Sequence, residues 1–143
     1  MNQDQILFPL FAMFLLTFCI GVWMLKLRFK AVKEDGLNPG YFQLNRGAKL
    51  PDYLAKVTNH YTNLFELPVL FYVACLILYT GHIVDVLYIG FAWTFVGIRC
   101  AHAYIHITYN NLKHRRLAFL VGTLTLAFIW ARLFIQVTMS SCI

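Results

Sequence analysis

Long apolar stretches without a charged residue dominate the chain. Lys, Arg, Asp and Glu are absent from residues 5–25, 67–84, 100–112, 117–131 and 133–143. A helix needs about 20 mostly apolar residues to cross a bilayer. The pattern therefore predicts one membrane domain, residues 1–143, that is all-α and has four spanning helices. Their expected bounds are 6–28, 52–80, 86–109 and 117–138.

Breaker residues and short connections predict how these helices are arranged. Gly and Pro cluster in residues 34–40, which indicates a loop after the first helix. The dipeptide Leu67-Pro68 inside the second helix predicts a kink close to Glu66. The connections between the second, third and fourth helices are short, which favours an antiparallel up-and-down four-helix bundle. Gly90, Gly97 and Ala101 share one face of the third helix and predict close helix packing there.

The composition agrees with a membrane protein and argues against two other classes. Hydrophobic residues make up 60% of the chain and charged residues only 13%, which excludes a disordered chain and argues against an ordinary water-soluble domain. The net charge of +6 is not a nucleic-acid signal, because ten of the twelve Lys and Arg lie in residues 26–58 and 108–116. By the positive-inside rule both segments face the cytoplasm and both termini lie outside.

Polar residues recur at helical spacing on two of the spanning helices. Asn59, Asn63 and Glu66 form one stripe, and a second stripe follows on the third helix. The second stripe consists of Arg99, His102, His106 and Asn110. At a rise of 1.5 Å per residue, Glu66 lies about 15 Å and Arg99 about 18 Å from the cytoplasmic ends of their helices. We therefore expect these two residues to form a hydrogen-bonded ion pair, in one protomer or across two, which either only locks the helices together or belongs to a site.

The two stripes together predict a polar cleft that opens towards the basic loops. Such a cleft suits an anionic, hydrophilic ligand that sits partly in the membrane. A metal held by His102 and His106, or a haem held by His60 and His106, is the alternative. Neither pair has a carboxylate-rich or thiolate partner set, and the four cysteines show no metal-ligand spacing, so no metal site is expected.

The segments Asn63-Leu-Phe-Glu66-Leu-Pro68 and Arg99-Cys-Ala-His102 resemble the MAPEG family, the membrane-associated proteins in eicosanoid and glutathione metabolism. The run from Arg99 to Asn110 looks especially like a bacterial branch of that family. The resemblance implies a homotrimer in a bacterial inner membrane. It also implies that glutathione binds between protomers in the cytoplasmic half, for conjugation, peroxide reduction or isomerisation of lipophilic substrates.

The resemblance also implies roles for particular residues. Asn63 and Glu66 match the motif on the second helix that contacts glutathione, and Arg99 and His102 match the motif on the third helix. Lys26 or Arg28 matches a basic residue that meets a carboxylate of the peptide. Two further cleft residues, Asn59 and His106, occupy positions where the glutathione-using eukaryotic members carry an arginine and a tyrosine.

Arg115 matches the loop arginine that is proposed in the family to stabilise the glutathione thiolate. A thiol with a pKa of about 8.5 needs a nearby cation to become a nucleophilic thiolate at neutral pH. The leading hypothesis is therefore a glutathione- or thiol-dependent transferase or peroxidase-like enzyme that acts on lipophilic electrophiles and contacts membrane lipids. The first alternative is a non-catalytic lipid- or partner-binding protein of the same fold. The second is a small proton-coupled exporter, which is disfavoured if Arg99 keeps Glu66 ionised.

Overall fold

The computed structural model describes residues 2–44 and 50–140, and the regular structure within those ranges is entirely helical. A short 3-10 helix at Gln3–Ile6 leads into the first long helix. The α-helices are α1 (Leu7–Lys33), α2 (Tyr41–Leu44), α3 (Asp52–Asn63), α4 (Leu67–Thr80), α5 (Val86–Ile107) and α6 (Leu112–Ser140). Four helical stretches of the described residues are long and apolar enough to cross a membrane: Gln3–Lys33, Asp52–Thr80, Val86–Ile107 and Leu112–Met139. The four membrane-spanning helices predicted from the sequence are confirmed.

The second spanning stretch consists of two helices, α3 and α4, separated by a turn at residues 64–66. Pro68 lies in the first turn of α4, has no backbone N–H, and would clash with the carbonyl of Leu64 in a continuous helix. The kink expected at Leu67-Pro68 is therefore confirmed as a break of the helix. Glu66 is the residue that directly precedes α4, with φ −98° and ψ −95°.

The basic connection between α5 and α6 is shorter than the sequence pattern suggests. α5 ends at Ile107 and α6 already begins at Leu112, so Lys113 and Arg115 are helical. The Asn111 side chain accepts hydrogen bonds from the backbone N–H groups of Lys113 (2.9 Å) and His114 (3.4 Å). Asparagine is a favoured helix N-cap, which explains why α6 starts before the apolar run.

One end of the bundle is held together by polar contacts between distant segments. The backbone N–H of Val84 donates to Gln3 Oε1 (2.9 Å), and Tyr88 Oη donates to Gln136 Oε1 (3.0 Å). Arg132 forms a two-pronged ion pair with Asp85, in which Nη1 donates to Oδ1 at 2.8 Å. The N-terminus, the turn before α5 and the last turns of α6 therefore meet at this end.

The opposite end carries the basic segments. Lys56 Nζ donates to the backbone carbonyl of Thr108 (3.3 Å), and Tyr53 Oη donates to Asp35 at the far end of α1. Successive spans therefore alternate in direction. This end is called the basic end below, and the polar stripes of α3 and α5 lie in its half of the bundle.

Apolar side chains fill the space between the spans. Phe71 of α4 stacks on Phe95 of α5, with ring centroids 4.6 Å apart, and both rings are fully buried. The close approach of helices occurs at Gly21, where an added Cβ would lie 3.0 Å from the ring of Tyr61. The close helix packing expected at Gly90 and Gly97 of α5 is not found within the chain, because a Cβ at either position would meet nothing within 4 Å.

Candidate functional site

Four polar side chains are buried in the basic half of the bundle. His60 comes from α3, and Arg99, His102 and His106 come from α5; each is at most 2% exposed. The three imidazole rings contact one another. Their centroids lie 5.4 Å apart for His60 and His102, 5.1 Å for His60 and His106, and 5.7 Å for His102 and His106. His102 and His106 are one helical turn apart on α5, so both rings lie on the same face and meet His60 at the interface of α3 and α5.

Arg99 lies deepest in this group and binds the backbone at the break between α3 and α4. Its Nη2 atom donates to the carbonyl oxygen of Asn63, the last residue of α3, at 3.1 Å. Nε and Nη1 of Arg99 are buried and have no hydrogen-bond partner among the described residues. The guanidinium therefore retains donors that a ligand or a neighbouring protein group could accept.

The expected hydrogen-bonded ion pair between Glu66 and Arg99 is not formed within one chain, although the two charges are close enough to interact. No hydrogen bond or ion pair of the described residues joins them, and the Glu66 side chain is exposed. The reason is the helix break, which a uniform helix does not contain. The turn at 64–66 interrupts the helical register between Asn63 and Glu66, and Arg99 Nη2 donates to the Asn63 carbonyl instead of to the carboxylate.

The histidine rings also have unsatisfied polar atoms. Both ring nitrogens of His60 and of His106, and Nδ1 of His102, are buried without a hydrogen-bond partner among the described residues. Among the described residues no group of three or more His, Cys, Asp or Glu side chains has the arrangement of a metal site. The positively charged Arg99 and Arg115 lie close enough to interact with all three rings, which also opposes a bound cation.

A polar cavity of about 270 Å³ opens next to His106 at the basic end of the bundle. It is lined by residues of α3, α5, α6 and the connection between the last two: Asp52, Ala55, Lys56, Asn59, His106, Asn110 and Arg115. Arg115 Nη1 donates to Asn110 Oδ1 at 2.9 Å, which fixes the guanidinium at the cavity wall. The cavity thus combines two cations, one carboxylate, one imidazole and two amides.

The cavity, hereafter the polar cavity, brings together only part of the expected residues. Asn59, His106 and Arg115 line it, whereas Arg99 and His102 are buried outside its lining. Asn63 contributes a backbone carbonyl to Arg99, and Glu66 lies exposed beyond the break.

The two candidates on α1, Lys26 and Arg28, do not line the polar cavity. Lys26 is exposed, and the Arg28 guanidinium lies 5.1 Å from the centre of the Phe42 ring. The Arg28 group is therefore engaged with α2. A role for either residue at the site requires a different protomer or a rearranged side chain.

Two residues of the cavity, Asp52 and Lys56, are missing from the set of site candidates derived from the sequence. The signal was present, because residues 52, 56, 59 and 63 continue a single stripe of α3 by two further turns. Their place near the end of the membrane span made them look like ordinary interfacial charges. The sequence suggests His60 only as a possible haem ligand, whereas the structure buries it completely beside the other two histidines.

Comparison with known proteins gives one match. The model of the MAPEG family matches residues 6–135, which is nearly the whole chain. The match includes α3 to α5 and all but the last turns of α6, and therefore every residue that lines the polar cavity. No curated protein and no solved structure matches the chain.

Proposed function

The chain belongs to the MAPEG family, and from this premise we propose that it is a glutathione- or thiol-dependent transferase or peroxidase-like enzyme that acts on lipophilic electrophiles. The family places the chain among membrane proteins of the eicosanoid and glutathione metabolism type. The specific activity is our proposal, and the observation that carries it is the chemistry of the polar cavity.

The charges of the polar cavity complement a peptide with two carboxylates and one ammonium group, as glutathione has. Lys56 would meet one carboxylate and Asp52 the ammonium group. The second carboxylate would fall to Lys26 or Arg28 of a neighbouring protomer, which leaves Arg115 for the thiol. Asn59 and Asn110 supply amide groups that can pair with the peptide backbone. The described residues of the cavity therefore fit glutathione in charge and in hydrogen-bonding capacity.

The dimensions of the polar cavity support a site that is completed by a second protomer. Its volume of about 270 Å³ lies just below the range of roughly 300–1,000 Å³ that is typical of small-molecule sites. The exposed Glu66 lies on the same span, and a carboxylate at membrane depth is costly unless protein or water covers it. We therefore propose a homotrimer in which Asn63, Glu66 and the α1 cations Lys26 and Arg28 face a neighbouring protomer's polar cavity.

Arg115 is the residue we propose as catalytic. Its guanidinium lies at the rim of the polar cavity, and Asn110 keeps it there. A cation at this position lowers the pKa of a bound thiol and favours the thiolate. The thiolate sulfur then bonds to the electrophilic carbon, and the bond from that carbon to its leaving group breaks, so that the leaving group departs as an anion. The thiol proton leaves to solvent at the open basic end. An electrophile that partitions into the bilayer can reach this rim from the membrane side.

The proposed location is a bacterial inner membrane, with the basic end in the cytoplasm and both termini in the periplasm. The distribution of Lys and Arg supports this orientation, since the basic segments lie at one end of the bundle. The basic end is also the end where the polar cavity opens. The orientation would therefore expose the site to the cytoplasm, where reduced thiols are kept.

A lipid-binding protein without catalysis is the second candidate, and one feature favours it. A largely apolar groove of about 420 Å³ runs between α1 and the α3–α4 span. Its lining includes Phe14, Phe18, Phe65, Tyr61 and Tyr72. This groove suits an acyl chain without any chemistry. The exporter hypothesis stays open, because the ion pair by which Arg99 would keep Glu66 ionised is not formed inside the chain.

The decisive experiment measures glutathione binding by calorimetry and conjugation of a generic aromatic electrophile in the purified protein. We expect wild-type protein to bind glutathione in the millimolar range or better and to turn over. Arg115→Ala should lower kcat more than it weakens binding, because its charge matters most in the transition state. Lys56→Gln should weaken binding first. Lys33→Ala, an exposed cation at the end of α1, is the matched control.

Binding and turnover separate the enzyme hypothesis from the lipid-binding hypothesis, and a transport assay in vesicles tests the exporter hypothesis. Absence of glutathione binding at millimolar concentration defeats the enzyme hypothesis and leaves lipid binding. Binding without turnover, unchanged in Arg115→Ala, assigns glutathione a non-catalytic role. Proton-coupled uptake in vesicles that is lost in Glu66→Gln would establish the exporter instead.

A further inference from the structure

A second groove lies on the outside of the bundle, between α5 and α6, away from the polar cavity. Its volume is about 330 Å³, and its lining is mostly apolar. Ile98, Ala101, Ile105 and Tyr109 line it from the α5 side at helical spacing, and Leu117 and Val121 line it from α6. The groove is called the α5–α6 groove below.

The length of the α5–α6 groove matches one leaflet of a bilayer. From Ile98 to the end of α5 at Ile107 the chain rises by roughly 14 Å at 1.5 Å per residue, and Tyr109 lies in the turn that follows. Half of a hydrocarbon core that is about 30 Å thick is roughly 15 Å. The groove therefore extends from the membrane surface at the basic end to about the middle of the bilayer, which is the depth that a phospholipid acyl chain reaches.

The mouth of the α5–α6 groove is polar and positively charged. Tyr109 Oη and His114 Nδ1 share a hydrogen bond of 3.2 Å at its edge. Lys113 is exposed and lies one turn before Leu117, about 90° around α6 from the middle of the groove lining and on the opposite flank from Arg115. Residues 108–116 contain no acidic residue, and the N-terminus of α6 adds its positive dipole.

We propose that the α5–α6 groove binds one anionic phospholipid. An acyl chain lies along Ile98, Ala101, Leu117 and Val121, and the phosphate meets Lys113, His114 and the Tyr109 hydroxyl. Charge complementarity at the mouth selects an anionic over a zwitterionic headgroup, because each nearby basic residue adds to the attraction of an anionic lipid. The occupant is structural lipid, bound on a different side of α6 from Arg115.

The chain provides a matched control for the charge. Arg116 is exposed and carries the same charge as Lys113, but at 100° per residue it lies about 150° around α6 from the α5–α6 groove. A general attraction of the basic end to an anionic surface would depend on both residues equally. A bound lipid in the groove depends on Lys113 and not on Arg116.

The test is native mass spectrometry of the purified protein with phosphatidylglycerol and phosphatidylcholine that have the same acyl chains. We expect wild-type protein to retain phosphatidylglycerol preferentially. Lys113→Gln should lower that retention about fivefold, as removal of one basic residue near a membrane surface does. Arg116→Gln should leave it unchanged, and inorganic phosphate should not displace the lipid.

A second pair of variants tests the position of the acyl chain. Ala101→Phe fills the α5–α6 groove from its exposed α5 side, and Ala127→Phe places the same ring on an exposed part of α6 outside it. We expect only Ala101→Phe to abolish lipid retention. Equal retention of both lipids, equal effects of Lys113→Gln and Arg116→Gln, or full retention in Ala101→Phe would each overturn the proposal.

Discussion

Arg99 donates a hydrogen bond of 3.1 Å from Nη2 to the backbone carbonyl of Asn63, where α3 ends inside the membrane. A helix that ends leaves its last carbonyls without intrahelical partners, and in a bilayer no water replaces them. A cation at a helix C-terminus also interacts favourably with the helix dipole. The buried arginine therefore stabilises the break between α3 and α4, whatever else it binds.

This relationship predicts unequal effects of two substitutions. Arg99→Ala should destabilise the protein by about 2–4 kcal/mol, because it removes a charged hydrogen bond and leaves a cavity. Glu66→Gln should change stability by no more than about 0.5 kcal/mol, because its side chain is exposed. Thermal unfolding in detergent measures both. Equal losses would contradict this asymmetry and show that Glu66 binds Arg99 across protomers.

The ion pair between Asp85 and Arg132 predicts a dependence of stability on pH. The Arg132 hydrogen bonds hold the pKa of the Asp85 carboxyl below its ordinary value of 3.8. The stabilisation is therefore fully present above pH 3.8 and is lost as the pH falls through the lower, folded-state pKa. Because both side chains are partly exposed, we expect at most about 1 kcal/mol.

The measurement for this pair compares wild type with Asp85→Asn over a range of pH. Asn retains the oxygen that accepts the Tyr88 N–H, so only the charge is removed. The difference in melting temperature should shrink as the pH falls below 3.8. Asp4→Asn, at an exposed position of the same bundle end, should show no such difference. A difference for Asp85→Asn that persists at low pH would contradict the ion-pair argument.

Two glycines predict opposite effects of the same substitution. Gly21→Ala places a Cβ 3.0 Å from the Tyr61 ring, so the ring must move and we expect a loss of about 1–3 kcal/mol. Gly97→Ala meets nothing within 4 Å and should stabilise α5 by up to about 1 kcal/mol through helix propensity. Thermal unfolding compares them. A destabilising Gly97→Ala would show that another protomer packs closely on this face.

The left-handed backbone of Asn110 allows its effect on stability to be tested separately from its role in positioning Arg115. Asn110 has φ +50°, and its side chain accepts a hydrogen bond from Arg115. Both Asn110→Ala and Asn110→Gly remove this hydrogen bond, so both should lower kcat of the proposed reaction in the direction of Arg115→Ala. Only Asn110→Ala should also cost about 1–2 kcal/mol of stability, because alanine is strained in a left-handed conformation. Equal kcat for wild type and Asn110→Gly would show that Asn110 does not position Arg115.

The orientation of the bundle predicts a labelling pattern in intact bacterial cells. In a background without native cysteines, His82→Cys should react with a membrane-impermeant maleimide, and Lys33→Cys should react only after the cells are opened. Both positions are exposed, and they lie at opposite ends of the bundle. Labelling of Lys33→Cys in intact cells would reverse the orientation.

The sequence determined the spans because the free energy of placing charges in lipid is large and local. Five charge-free stretches and the 20-residue requirement are enough to place four helices. The break at Pro68 is also local, since a missing N–H and a ring clash depend only on neighbouring residues. The stripes on α3 and α5 followed from helical periodicity, and they correctly indicated that Arg99, His102 and His106 face inward.

Tertiary structure decided which polar groups meet. The position along a helix gives only the depth in the membrane, and at equal depth Glu66 and Arg99 were expected to pair. The turn at 64–66 changes the direction of the side chains around the helix axis, and Arg99 donates to the carbonyl of Asn63 instead. The rotation of α6 against α5 likewise decides that Arg115 lines the polar cavity while His114 lines the α5–α6 groove. Such azimuthal relationships arise from side-chain packing between helices, which the spacing within any one helix does not contain.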